Sequence, residues 1–123
     1  MEKIIEIDGK QVGFKTNGLV PVFYKAQFKR DLIKDLLSMG GNNKKAEDQD
    51  QLEWLRDNVD FMIFFDIAWV FARAYDKNIP PQEEWLESFD TFPIMDVFEP
   101  LQELLEATIS TKKKPKKAAK TQK

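Results

Sequence analysis

The sequence predicts a mostly α (α+β) domain: an N-terminal β-hairpin, about four helices with a long apolar one at the centre, and a basic C-terminal tail. Three observations predict it. Period-two alternation is confined to the first sixteen residues, around Asp8-Gly9. From Tyr24 onward the apolar residues recur at three- and four-residue spacing. After Ile109 the composition reduces to Ser, Thr, Lys, Pro, Ala and Gln. The folded domain is therefore placed at residues 1–109 and a disordered Lys-rich tail at 110–123.

In the hairpin, Ile5 and Ile7 alternate with polar neighbours, as do Val12 and Phe14, and Asp8-Gly9 supplies a turn that needs positive φ. A lone hairpin is marginal in water, so the face carrying those four residues must pack on something else. Asn17-Gly18 is a second turn signal, and Pro21 suits the first turn of a helix. That helix is predicted over Val22–Met39: Tyr24, Phe28, Leu32 and Leu36 recur every fourth residue, and Gly40-Gly41 stops it. The stretch from Asn42 is polar and reads as a loop. Asp50, with Glu53 three residues on, starts a second helix predicted to run unbroken to Tyr75. Fourteen of the 17 residues from Val59 to Tyr75 are apolar, so this helix must be covered on every side. Either the C-terminal helices close over it or another chain does. Lys77-Asn78-Ile79-Pro80-Pro81 is a break, and a short helix follows over Pro81–Phe89 with Glu83 and Glu84 in its first turn. A last helix opens at Pro93 and turns Val97, Phe98, Leu101, Leu104 and Leu105 inward, with a kink or interruption expected at Pro100.

Composition narrows the chemistry. The 123 residues include no Cys and no His, which removes disulfides, thiolate catalysis, the commonest general base and the commonest metal ligand. The net charge of −2 hides a segregation: seven Lys fall in residues 110–123, leaving 12 basic and 21 acidic residues in the body. The apolar run holds Asp60, Asp66 and Arg73 and is too short and too charged for a membrane span, so a cytosolic protein with no membrane partner is expected. Neither a GxGxxG nor a GxxxxGK[ST] motif occurs, and counting a Ca²⁺ loop from Asp48 puts Glu53 and Val59 where Gly and Glu belong. No cofactor, metal or catalytic residue is expected. Asp66 and Arg73 share a helix face seven residues apart and are read as a structural polar pair, with Arg73 also at cation–π spacing from Trp69. The Lys tail has charge enough for weak nucleic-acid contact but no aromatic or Arg for specificity. The aromatic surplus of Trp54, Phe61, Phe64, Phe65 and Phe71 is the candidate partner-binding set.

Four strings then carry a resemblance. Ile5-Glu6-Ile7-Asp8-Gly9-Lys10-Gln11-Val12-Gly13-Phe14-Lys15, the helix Tyr24…Phe28…Arg30-Asp31-Leu32…Asp35-Leu36, the stretch Phe64-Phe65-Asp66-Ile67-Ala68-Trp69-Val70, and Pro80-Pro81-Gln82-Glu83-Glu84-Trp85-Leu86-Glu87-Ser88-Phe89-Asp90 resemble, in that order, tail assembly chaperones of long non-contractile-tailed phages (or prophages) of Gram-positive bacteria. The resemblance spans residues 3–106. It implies a non-enzymatic protein of the bacterial host cytoplasm, absent from the mature virion. Such a protein binds the tape measure protein, keeps it soluble and recruits the major tail (tube) protein. It implies a short form alongside a frameshifted longer form of the same chain, and it is compatible with self-association. The codons of Lys112–Lys114 are necessarily A-rich, which fits a programmed frameshift there. The rival reading is a small regulatory or nucleic-acid-associated adaptor that uses the tail.

Overall fold

The computed structural model describes residues 1–38 and 50–109. The Gly40-Gly41 stop, the polar loop from Asn42 and the tail at 110–123 lie outside them. Broadly, the chain is a mixed α+β fold, an N-terminal antiparallel hairpin followed by helices.

Strands β1 (Glu2–Ile7) and β2 (Lys10–Lys15) pair with Ile7 opposite Lys10, Ile5 opposite Val12 and Lys3 opposite Phe14. Asp8 and Gly9 adopt φ of 55° and 77°. Two consecutive left-handed residues match the twist of the flanking strands, which is why this dipeptide closes a two-residue hairpin. The predicted inner face is the observed one. Ile7 and Phe14 are fully buried and Ile5 and Val12 partly so.

The helix predicted over Val22–Met39 is two helices, α1 (Val20–Phe28) and α2 (Leu32–Ser38). Lys29 turns left-handed at φ 61° and its N–H bonds back to the Lys25 carbonyl, closing α1. Asp31 then caps α2, its carboxylate accepting from the N–H groups of Ile33 (2.9 Å) and Lys34 (3.2 Å). The four-residue recurrence survives the corner: Tyr24, Leu32 and Leu36 are all buried.

The predicted 25-residue central helix is likewise two, α3 (Gln51–Asn58) and α4 (Phe61–Tyr75). Asp50 caps α3 through the Glu53 N–H at 2.8 Å, as its spacing predicts. The break comes from Asp60, an extended residue whose carboxylate accepts from the N–H groups of Met62 (3.0 Å) and Ile63 (3.4 Å). An aspartate so placed satisfies orphan amides better as a cap than as a mid-helix residue. Helix α5 (Gln82–Glu87) follows the Pro80-Pro81 break, and α6 (Ile94–Ile109) runs through Pro100 without the expected interruption. Pro100 has no N–H to donate to the Asp96 carbonyl, but Asp96 and Glu99 are exposed on that side of the turn, so water can replace the missing bond.

The core forms around α4, where every residue from Asp66 to Ala72 is buried. The chain itself supplies the cover: β2 and α1 pack along α4, and α6 contributes Val97, Phe98, Leu101, Leu104 and Leu105. No helix among the described residues is long and apolar enough to cross a membrane.

Candidate interaction surface

The five candidate aromatics divide by depth. Trp54, Phe64 and Phe71 are buried, at 8%, 2% and 0% exposure. Trp54 lies edge-on to Phe98, and Phe64 stacks on the same Phe98 ring at 6.1 Å. Phe64 and Phe71 are among the most enclosed side chains of the fold.

Phe61 and Phe65 reach the surface. They are one helical turn apart and share a face. Phe61 is 37% exposed and its neighbour Met62 is 71% exposed. Phe65 is half-buried, its ring meeting Phe64 at 5.7 Å and Phe92 at 5.5 Å. The first turns of α4 thus present Phe61, Met62 and the outer part of Phe65, beside the exposed acids Asp57 and Asp60. The aromatic packing behind Phe65 holds this surface in place.

Asp66 and Arg73 do not pair. Asp66 accepts from Arg30 Nη2 on one oxygen and from Gln82 Nε2 (2.6 Å) on the other. Arg30 also donates through Nε to Asp35 (2.8 Å) and through Nη2 to the Tyr24 hydroxyl (3.1 Å), while Tyr24 donates to Asp35 at 2.5 Å. Asp35 and Asp66 are each 8% exposed and Tyr24 is enclosed. This centre ties α1, α2, α4 and α5 together around one guanidinium. Burial first, and then the hydrogen bond to Asp35, raises the Tyr24 phenol pKa. The Asp35 and Asp66 carboxylates, in that order, hold Arg30 more firmly protonated than usual. Both Asp66 oxygens are thus engaged in joining elements of the fold.

Arg73 lies with its guanidinium 4.2 Å from the Phe23 ring centre, so its aromatic partner is on α1 and not Trp69. The seven-residue spacing put Asp66 and Arg73 on one face, but α1 offers Arg73 the Phe23 ring, and the link that follows α1 offers Asp66 the Arg30 guanidinium. Arg30 is the residue that sequence reasoning missed. The signal was the charged pair Arg30-Asp31 in the middle of an otherwise apolar four-residue recurrence.

Gly13 was also missed. A Cβ there would run into the Tyr75 ring, and a lone glycine inside a strand pattern is the sign of such a close approach. A cleft of about 220 Å³ opens beside it, lined by Lys10, Gly13, Tyr75, Asp76, Trp85 and Phe89 among others. Lys10 spans its mouth, bonding the Ser88 carbonyl at 2.8 Å with its ammonium 5.2 Å from the Phe89 ring centre. Among the described residues no group of three acidic side chains is placed to hold a metal ion.

In comparisons with known proteins, no family model, no curated protein and no solved structure matches the chain.

Proposed function

We propose that the chain is a non-enzymatic tail assembly chaperone of a long non-contractile-tailed phage or prophage, acting in the bacterial host cytoplasm and absent from the finished virion. The observation that carries this reading is the ordered set of four motifs spread over residues 5–90. Its partners are the tape measure protein, which it keeps soluble, and the major tail (tube) protein, which it recruits. The exposed Phe61 and Met62, with the outer part of Phe65, support the reading. An extended helical client with apolar stripes needs an apolar surface of limited size, so that it binds and is later released. The exposed Asp60 carboxylate at the start of α4 borders that surface and disfavours self-association through bare hydrophobic contact. A longer, frameshifted form of the chain belongs to the same proposal, with its slip site in the A-rich codons of Lys112–Lys114.

The test is co-expression with the product of the very long reading frame expected immediately downstream of this gene. The chain should raise the soluble fraction of that product and purify with it at a fixed ratio. Met62→Asp should weaken both effects without lowering the melting temperature, because that side chain is 71% exposed. A tape measure protein equally soluble without the chain would sink the proposal. Tight, sequence-specific binding of DNA by the chain would replace it with the nucleic-acid adaptor.

A further inference from the structure

The two edges of the hairpin are unlike each other. The Thr16 N–H bonds to the Met1 carbonyl at 3.2 Å, so the bonds between strands run through positions 1, 3, 5 and 7 of the first strand. Glu2, Ile4 and Glu6 therefore turn their N–H and C=O groups outward, away from β2. Among the described residues no third strand continues the sheet, and none of the backbone bonds outside helices and strands reaches these three residues. The β2 side is different, because α4 packs along it and the Tyr75 ring lies on Gly13. Among the described residues β1 offers the more open row of donors and acceptors; α6 meets β1 at Lys3, whose ammonium pairs with Glu103, and Glu2, Ile4 and Glu6 stay exposed.

The side chains over that row have a pattern. Glu2, Ile4 and Glu6 point to the outer face, the two glutamates exposed and Ile4 exposed to 53%. The face thus reads acid, apolar, acid at two-residue spacing.

We propose that β1 is a docking edge for an extended segment of a partner protein whose residues at i, i+2 and i+4 are basic, apolar and basic. Backbone hydrogen bonds to Glu2, Ile4 and Glu6 supply the attachment, and the outer face selects the sequence. Opposite charges directly across a strand pair favour pairing and like charges oppose it. Those rules turn away a second copy: β1 laid antiparallel on β1 about Ile4 sets Glu2 of each copy against Glu6 of the other. The tail of this chain is a poor occupant as well, since residues 112–120 offer only Lys, Pro and Ala, which are weak strand formers. The edge is separate from the Phe61–Phe65 surface, and its partner need not be the one proposed above.

The experiment titrates the full-length, ¹⁵N-labelled chain with the blocked peptide Thr-Lys-Thr-Val-Thr-Lys-Thr and follows the backbone amides. Saturable shifts are expected at Glu2, Ile4 and Glu6. Binding should weaken by about tenfold when Glu replaces Lys in the peptide. It should be lost when the peptide's edge-facing amides are N-methylated. Glu2→Lys/Glu6→Lys should reverse the preference between the Lys and Glu peptides at an unchanged melting temperature, which a merely structural role would not do. No shift at low-millimolar peptide, or equal binding of the N-methylated peptide, would overturn the proposal. So would edge amides already protected from hydrogen exchange in the free chain. Protection that rises with concentration would mean a second copy on the edge, and protection independent of concentration would mean the tail.

Discussion

The fold is joined at two centres of opposite character. One is polar, where Arg30 links Tyr24, Asp35 and Asp66 across α1, α2 and α4, and Gln82 adds α5. The other is aromatic and runs as a chain of ring contacts from Trp54 through Phe98, Phe64, Phe92 and Trp85 to Phe14. The polar centre depends on one forked donor reaching buried carboxylates at fixed angles. The aromatic one depends on filled volume, and each ring has several neighbours. Loss of geometry and loss of volume should therefore injure them differently.

Phe64 gives the largest expected effect. Phe64→Ala removes a ring enclosed by Phe65, Phe92 and Phe98 and should cost about 4 kcal/mol in urea unfolding. Phe64→Leu, which keeps most of the volume, should cost about 1.5 kcal/mol. Arg30 should behave the other way. Arg30→Ala leaves the Asp35 and Asp66 carboxylates without their shared cation and should cost about 3 kcal/mol, at the low end for a buried pair because the Arg30 side chain is 38% exposed. Arg30→Lys should recover less than half of that, since an ammonium cannot reproduce the fork. A lysine variant as stable as the natural chain would break the comparison.

Asp60→Ala tests the joint between α3 and α4 and should cost about 1 kcal/mol by loss of the cap. A cost near zero would show that packing alone starts α4 at Phe61. The smallest effect concerns pH. The Tyr24 pKa is raised in the folded state, so the neutral phenol is favoured there over the unfolded chain. That stabilisation is complete below the unfolded phenol's pKa of about 10 and declines as pH rises above it. The melting temperature should fall as pH rises above about 10, and Tyr24→Phe should shallow the fall. An identical slope in both would place the alkaline transition elsewhere.

The hairpin was legible because Asp8-Gly9 names its own turn and the alternation on either side has one sensible face. The corner between α1 and α2 was not. Its left-handed residue is Lys29, a residue type that gives no warning of positive φ, and the recurrence from Tyr24 to Leu36 reads the same along one helix or around a corner. Asp31 and Asp60 did carry cap signals, overridden by the apolar periodicity around them. Within the apolar run, the sequence could not sort the exposed Phe61 and half-buried Phe65 from the buried Phe64 and Phe71. A stretch apolar all round holds no record of which side its neighbours take. The Arg30 centre was hidden for a related reason: its members lie as far apart as Tyr24 and Gln82, and only the packing of α1 on α4 brings them together.

The contact between Gly13 and Tyr75 bears on the register of the hairpin. The ring lies where only a residue without a side chain fits. A hairpin slipped by two positions would offer Gln11 or Lys15 there, and neither leaves room. A slipped hairpin could dock on α4 only if the Tyr75 ring swung out of its place. The turn at Asp8-Gly9 fixes the register at one end, and the fit of Tyr75 on Gly13 favours the same register further along the strand.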